Sequence, residues 1–258
     1  MYKYRKVLER FLKESTIPLN ELTSENVRNW LDDFSTGKKP KTVDLILSIL
    51  SSFFRFCHKA EYIETVVMKK RWRPKIPKSL PKFLDEFEYN RVKQFTEQIP
   101  IRDRALILFL FSTGCRVTEA SNLNIEDINL VTRTVNVLGK GKKIRSVFFS
   151  EECSLALGKY LETRSLNPTE PLFENKFGKR LQGAGIHQVL QKVGKKCGLK
   201  QSFHPHSCRH TFATNFLARG AELQQIADLL GHENLNTTRI YAQIPTEDLL
   251  LKYQTIMG

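Results

Sequence analysis

The sequence predicts a mainly α-helical protein with a small β-hairpin, divided into a helical N-terminal domain and a larger α+β domain. Three observations lead to this prediction. Apolar residues recur with helical spacing through residues 1–68, a proline-rich basic segment occupies 69–82, and two short alternating segments lie close together after residue 133. We therefore expect domains at 1–68 and 83–258, joined by a linker at 69–82.

The N-terminal domain is predicted to consist of helices. The first helix carries Phe11 and Leu12 on one apolar face, and the second runs over about 24–34. Pro40 suits the first turn of the third helix, because a missing N–H costs nothing there. One side of that third helix is apolar and consists of Val43, Ile46, Leu50, Phe53, Phe54 and Cys57.

The segment 69–82 combines three prolines with seven lysine or arginine residues. Prolines block a regular helix, and like charges repel one another, so an extended chain is expected. Such a segment could lie on the phosphates of a nucleic acid, or it could be a merely solvated linker. The candidate phosphate-binding residues are Lys70, Arg71, Arg73, Lys75 and Lys78.

The second domain is predicted to alternate between helices and one hairpin. Residues 102–112 should form a buried helix, and a short helix should follow at about 117–123. The segments 134–138 and 144–149 alternate as strands do, and two glycines between them favour a turn. From Gly185 onward the pattern is helical again, with glycine breaks.

Composition favours a polyanionic partner. The 258 residues include 41 Lys and Arg against 27 Asp and Glu, which gives a formal charge of +14. Nucleic acid is the first candidate partner and an anionic membrane surface the second. The longest apolar run, 105–111, is too short to cross a bilayer, so no membrane span is expected, and nucleic acid is preferred to a membrane as the partner. Five scattered cysteines without paired spacing indicate reduced thiols and a cytoplasmic location.

Four short patterns carry side chains suited to phosphate chemistry. They are Ser112-Thr113-Gly114-Cys115-Arg116-Val117-Thr118-Glu119-Ala120, Lys140 in the hairpin turn, His204-Pro205-His206-Ser207-Cys208-Arg209-His210, and Leu229-Leu230-Gly231-His232 with Thr237-Thr238-Arg239-Ile240-Tyr241. Strand transfer without a metal needs a nucleophile that keeps the bond energy in a covalent intermediate, and tyrosine can supply it. It also needs fixed positive charge on the non-bridging oxygens and an acid for the departing oxygen. The four patterns contain all of these groups.

One of these patterns has a defined local geometry. His206 and Arg209 are three residues apart, so a helix would project both from one face. Pro205 suits the start of that helix, where free N–H groups also attract phosphate. This pair is therefore a candidate oxyanion-binding site.

Together these motifs resemble the tyrosine recombinase (phage integrase) family, and within it the Xer-like and transposon-resolvase-like members. The resemblance rests on the arginine motif 113–119, on Lys140 in Leu138-Gly139-Lys140-Gly141, on His206 to His210, and on His232 followed nine residues later by Tyr241. Each motif alone is weak. Their order and spacing together are specific.

The resemblance implies a role for each matching residue. Tyr241 would form a 3′-phosphotyrosine and release a 5′ hydroxyl, while Arg116 and Arg209 would hold the scissile phosphate. Lys140 would be the general acid, with His206 assisting proton transfer. His232 would donate a further hydrogen bond, and Glu119 would brace the arginine region. No metal and no nucleotide cofactor would be required, because the phosphotyrosine keeps the energy for rejoining.

The resemblance also implies partners. Family members close two domains around double-stranded DNA at a specific recombination site, and they act as a homotetramer in the synaptic complex. Without DNA the chain would be a monomer or a weak oligomer. Whether accessory proteins take part is left open, as are the DNA target and the biological role.

Several alternatives stay open at individual residues. His204, His206, Cys208 and His210 resemble a metal cluster, although a helix would turn Cys208 away from the histidines. Arg116 and Glu119 could be only a structural ion pair, and Lys142 or Lys143 could replace Lys140 as the reaching lysine. Tyr241 could be a core aromatic residue. The competing functions are a non-catalytic DNA-binding protein of the same fold and a type IB topoisomerase.

Overall fold

The computed structural model describes residues 2–77, 81–139, 144–164, 166–231 and 238. Contacts within the chain divide it into two compact units, Met1–Ser79 and Leu80–Gly258. Helices dominate both units, and one three-stranded sheet lies in the second, which confirms the predicted fold class. Among the described helices, none is both long and apolar enough to cross a membrane.

The first unit contains α1 (Tyr2–Glu14), α2 (Ser24–Ser35) and α3 (Pro40–Lys59). Thr23 caps α2, since its Oγ1 accepts from the backbone N of Asn26 at 3.2 Å. Pro40 is the first residue of α3, as predicted. The apolar faces of the three helices enclose a core that includes Phe11, Leu31, Ile46, Leu50 and Phe54. Leu12 was expected on this face but is exposed, because the buried stripe of α1 runs through Phe11 and its partly buried neighbours Val7 and Leu8.

The beginning of the 69–82 segment is folded onto the first unit. Lys70–Trp72 forms a 3₁₀ turn, and Trp72 packs against the core of this unit. Arg73 Nη1 donates to Asp44 Oδ1 of α3 at 2.6 Å. The expectation of an extended chain is therefore wrong for Lys70–Trp72, where Trp72 packs on the apolar core, while Lys69 and Arg73 on either side are extended. Lys78 lies outside the described residues.

The second unit is built around a buried central helix. Its helices are α4 (Glu86–Thr96), α5 (Ile101–Thr113), α6 (Val117–Asn122), α7 (Glu151–Leu161), α8 (Gly183–Lys196), α9 (Pro205–Ala218) and α10 (Leu223–Leu230). The run 105–111 of α5 is buried on all sides, and α5 packs against α7 and α9. Gly114 ends α5 in the left-handed conformation, with φ of 59°.

The sheet has the order β1 (Ile128–Asn129), β2 (Thr134–Leu138), β3 (Ile144–Phe148), with antiparallel neighbours. The pairing of β2 with β3 confirms the predicted hairpin strands, and Val135 opposite Val147 faces the core. The turn residues 140–143 lie outside the described residues. In the same register Val137 is opposite Arg145, which places this arginine on the inner side of β3.

Candidate active site

Arg116 lies at the start of α6, two residues after the glycine that ends α5. Its Nη1 donates to Glu119 Oε1 at 2.8 Å, and its backbone N donates to Glu119 Oε2 at 2.9 Å. The Arg116 side chain is 33% exposed, and its Nη2 donates to the carbonyl of Gly231 at 2.9 Å, so the guanidinium is fixed while the side chain stays partly accessible. The first turn of α6 therefore presents a positively charged group in a defined orientation.

Glu119 is a buried carboxylate, with its side chain only 4% exposed. Arg145 on β3 grips it with two parallel hydrogen bonds, from Nη1 to Oε1 at 3.0 Å and from Nη2 to Oε2 at 2.9 Å. Burial alone would raise the pKa of Glu119, but the hydrogen bonds from Arg145 and Arg116 hold it below its ordinary value. Glu119 is thus an ionised brace between two arginines.

Arg209 projects from α9 into the interior and is 5% exposed. Its Nη1 donates to the carbonyl of Gly114 at 2.7 Å, and its Nη2 donates to the carbonyl of Leu230 at 2.7 Å. One guanidinium therefore joins the end of α5 to the end of α10. Because both acceptors are uncharged, the positive charge of Arg209 is not neutralised by these bonds.

The C-terminus of α10 is held by three arginines. The carbonyl of Leu229 accepts from Arg145 Nε at 3.2 Å, and the carbonyl of Gly231 accepts from Arg116 Nη2 at 2.9 Å. The intervening carbonyl, of Leu230, is the Arg209 acceptor described above. Cations suit this position, because the last carbonyls of a helix have no partner within the helix and carry partial negative charge.

His206 lies on the first turn of α9 and is exposed. Its ring centroid is 6.5 Å from that of His210 and 6.4 Å from that of His204. Burial, followed by the charge of Arg209, lowers the pKa of His206, and His187 and Arg116 add to the effect. A neutral imidazole beside the two arginines is therefore favoured near neutral pH.

His204 shapes the start of α9. Its Nδ1 accepts from the backbone N of Ser207 at 3.1 Å, which caps the helix. Cys208 is fully buried, unlike the exposed His206. In the described part of the chain, no group of three or more His, Cys, Asp and Glu side chains could hold a metal ion.

The structure brings four of the predicted site residues together. Arg116, Glu119 and Arg209 are joined through the ends of α5 and α10, and His206 lies one turn before Arg209. Lys140, His232 and Tyr241 lie outside the described residues, as do the alternatives Lys142 and Lys143. The predicted phosphate-binding residues Lys70, Arg71, Arg73 and Lys75 belong to the first unit and are exposed.

Sequence reasoning missed Arg145. The signal was the two-residue period of β3, which puts Arg145 on the same side as the buried Val147. A cation on the inner face of a strand needs a partner, and the structure supplies Glu119.

The chain belongs to the phage integrase family, whose family model matches residues 82–247. It is thus a tyrosine-type site-specific recombinase. The tyrosine recombinase XerC of Oceanobacillus iheyensis is 34% identical over 265 residues, covering 97% of this chain and 87% of the relative. The tyrosine recombinase XerC of Bacillus subtilis (strain 168) is 33% identical over 259 residues, covering 96% and 85%.

Solved structures show the same fold. The XerH site-specific recombinase bound to a palindromic difH substrate, in a post-cleavage complex, matches with a TM-score of 0.81 and 23% identity, covering 98% of this chain and 77% of that one. The XerA recombinase matches with a TM-score of 0.62 and 28% identity, covering 100% and 91%. The family predicted from the motifs is confirmed.

Proposed function

We propose that this recombinase cuts and rejoins double-stranded DNA through a covalent bond between Tyr241 and a 3′ phosphate. The observation that carries the proposal is the arrangement of two fixed guanidiniums, Arg116 and Arg209, beside an exposed histidine, His206. Permanent cations with defined orientation suit a phosphate whose non-bridging oxygens gain charge in the transition state.

In the proposed step the Tyr241 hydroxyl oxygen attacks the phosphorus, and the bond from phosphorus to the 5′ oxygen breaks. Lys140 gives its proton to the departing 5′ oxygen, so the leaving group is a neutral hydroxyl. His206 assists transfer of the tyrosine proton, a role that its lowered pKa supports, because a neutral imidazole can accept a proton. His232 donates a hydrogen bond to the phosphate.

Rejoining is the reverse reaction. A 5′ hydroxyl attacks the phosphotyrosine, the bond to Tyr241 breaks, and the diester is restored. The number of phosphoester bonds is the same before and after, so no nucleotide cofactor supplies energy. Glu119 acts through Arg116 in both directions, and its four hydrogen bonds to Arg116 and Arg145 support this bracing role.

The proposed partner is a duplex DNA site of defined sequence, bound by a homotetramer during strand exchange. A relative of the same fold has been solved on a palindromic substrate after cleavage, which supports a symmetric DNA site. The formal charge of +14 supports a polyanionic partner. All five cysteines are free and buried, which supports a reducing compartment such as the cytoplasm.

The test is the trapping of denaturant-resistant protein–DNA adducts on nicked, fragmented host DNA. Wild-type protein should form adducts, and Tyr241→Phe should form none while binding the same DNA with similar affinity. Tyr253→Phe is the matched control and should form adducts as the wild type does. Adducts that persist in Tyr241→Phe would refute the assignment of the nucleophile. Specific binding without adducts, on an identified nicked site, would instead indicate a protein that only binds DNA.

A further inference from the structure

Arg145 links three elements of the site, β3, α6 and α10, and no other described side chain joins these three. It donates to both oxygens of Glu119 on α6 and, through Nε, to the carbonyl of Leu229 at the end of α10. It belongs to β3, which begins four residues after Lys140 in the chain. We propose that Arg145 is a positioning residue, resting on the function proposed above, that fixes the end of α10 relative to Arg116, immediately before His232 in the chain.

The guanidinium of Arg145 holds its partners in a fixed geometry. A guanidinium is planar and holds its donors in a rigid fork, so gripping a carboxylate with both Nη atoms also fixes the direction of Nε. In Arg145 the Nε–H group points to the carbonyl oxygen of Leu229, and Nε lies 3.2 Å from that oxygen. The orientation of the Glu119 carboxylate and the position of the α10 end are thereby set by one rigid group. A lysine has a single ammonium and cannot reproduce this arrangement.

Arg145 also packs closely against Gly231. A methyl group on Gly231 would lie 2.9 Å from Arg145 Nη1 and 3.0 Å from its Cζ. The backbone of Gly231 therefore lies directly against the guanidinium plane, in the left-handed conformation that ends α10. Arg145 therefore supports the end of α10 in two ways, by packing against Gly231 and by its hydrogen bond to the carbonyl of Leu229.

The Arg145 side chain is 16% exposed and Glu119 is 4% exposed, so each would be costly to bury without the other. Arg116 is 33% exposed and shares the same carboxylate. With Arg145 present, the single negative charge of Glu119 is shared by two cations, so Arg116 is only partly neutralised and keeps positive charge for a phosphate.

The consequence for the reaction follows from these contacts. The segment from His232 to Tyr241 begins where α10 ends, and the phosphate-binding arginines hold the same end. Removing Arg145 should release the Leu229 carbonyl and let Glu119 and Arg116 reorient. A displacement of about 1 Å between nucleophile and phosphate costs roughly 100-fold in rate.

The experiment compares Arg145→Ala, Arg145→Lys and Glu119→Ala with the wild type. It measures the single-turnover rate of adduct formation on a nicked duplex, the affinity for the same duplex, and amide hydrogen exchange across Leu223–Gly231. Arg145→Ala and Arg145→Lys should form adducts roughly tenfold to 100-fold more slowly, with affinity within about threefold. In both Arg145 variants, amide hydrogen exchange should become faster at the end of α10. The double variant Arg145→Ala/Glu119→Ala should form adducts no more slowly than the slower of its two single variants. The reason is that Arg145 and Glu119 both act on Arg116 through the same set of contacts.

Arg164→Ala is the matched control for a loss of stability. Arg164 is 7% exposed and binds Glu170 and Glu174, outside the site. Arg164→Ala should lower the melting temperature. At a temperature where all variants are folded, it should neither slow adduct formation nor change amide hydrogen exchange in α10. An Arg145→Ala rate within twofold of the wild type, or unchanged exchange in α10, overturns the inference. Equal slowing in Arg164→Ala overturns it too. Absence of wild-type adducts refutes the proposed function instead, while the exchange data still decide whether Arg145 fixes α10.

Discussion

At the scale of single residues, the site is organised by one buried carboxylate among three arginines. Glu119 accepts four hydrogen bonds from Arg116 and Arg145, which offset the cost of removing its charge from water. Arg209 bonds to uncharged carbonyls. Arg116 and Arg145 share the single charge of Glu119, so this pair of arginines keeps a positive surplus, and the more exposed Arg116 presents part of it to the surface. A phosphate diester carries the charge that this surplus suits.

His210 provides a prediction about pH. Burial above all, with His206 and Arg209 nearby, lowers the pKa of His210 to about 4, and His204 adds to this effect. An unfolded chain protonates a histidine near pH 6.5, so between about pH 6.5 and 4 the unfolded state binds more protons at this position. The folded state should therefore lose stability as pH falls through this window. His210→Gln should remove that part of the loss.

The measurement is urea unfolding of wild type and His210→Gln at pH 7 and pH 5. From pH 7 to pH 5 the free energy of unfolding should fall more in the wild type than in the variant. His58→Gln, which replaces an exposed histidine on α3, controls for the loss of a histidine as such. An identical fall in wild type and His210→Gln would show that protonation of His210 is not opposed in the folded state.

Some of these residue contacts were predictable. A spacing of three residues on a helix brings Arg116 and Glu119 together, and the same rule places His206 near Arg209. The structural ion pair considered for Arg116 is therefore present. Arg145 could not be paired with Glu119 from sequence, because they are 26 residues apart and meet only through the packing of β3 on α6 and α10. Long-range contacts of this kind leave no periodic signal in the chain.

At the scale of elements, the close approach of α5, α9 and α10 depends on Gly114. Its φ is 59°, and a methyl group there would lie 2.7 Å from Phe212 Cδ1 and 2.8 Å from Leu230 Cδ2. Gly114→Ala should therefore combine backbone strain with overpacking and destabilise the fold by about 2–4 kcal/mol. Adduct formation should also slow, because the Gly114 carbonyl is an acceptor for Arg209.

Gly37→Ala separates the two effects on stability. Gly37 also has a positive φ, of 73°, but nothing lies within 4 Å of a methyl group there. Gly37→Ala should lower the free energy of unfolding only through backbone strain, by about 1–2 kcal/mol. Chemical denaturation of both variants supplies the comparison. Equal destabilisation would mean that the contacts around Gly114 relax without cost.

The elements differed in how well sequence predicted them. Apolar periodicity and helix-start signals placed α3 and α9 correctly, since Pro40 and Pro205 each open a helix. The helix α4 was not predicted: two of its buried residues, Glu88 and Thr96, are polar, although Tyr89 and Phe95 pack against the core beside Val92. Strand β1 has two residues, too few for a pattern. The helix α7 does carry an apolar stripe, but the sequence interpretation did not assign it.

At the scale of the whole molecule, positive charge is the property that sequence determines directly. The formal charge of +14 does not depend on the fold, but the contribution of each cation to DNA binding depends on whether it is already paired with an anion. Arg73 is paired with Asp44 at 2.6 Å. Lys70, Arg71 and Lys75 are exposed in the same segment. The segment 69–77 is therefore not a uniform row of cations, and its members should contribute unequally to DNA binding.

Salt titration of DNA binding tests this inequality. Each phosphate contact releases counterions and contributes about −0.9 to the slope of log affinity against log salt concentration on duplex DNA. If Lys70, Arg71 and Lys75 each bind a phosphate, alanine at any one of them should flatten the slope by about 0.9. Arg73→Ala should flatten it less, because Asp44 competes for this guanidinium and an exposed ion pair is only weakly held. Lys13→Ala, an exposed lysine of α1 in the same unit, serves as the control. If the Lys70→Ala, Arg71→Ala and Lys75→Ala variants all kept the wild-type slope, this segment would not lie on the DNA backbone, and the phosphate contacts would have to come from cations elsewhere in the chain.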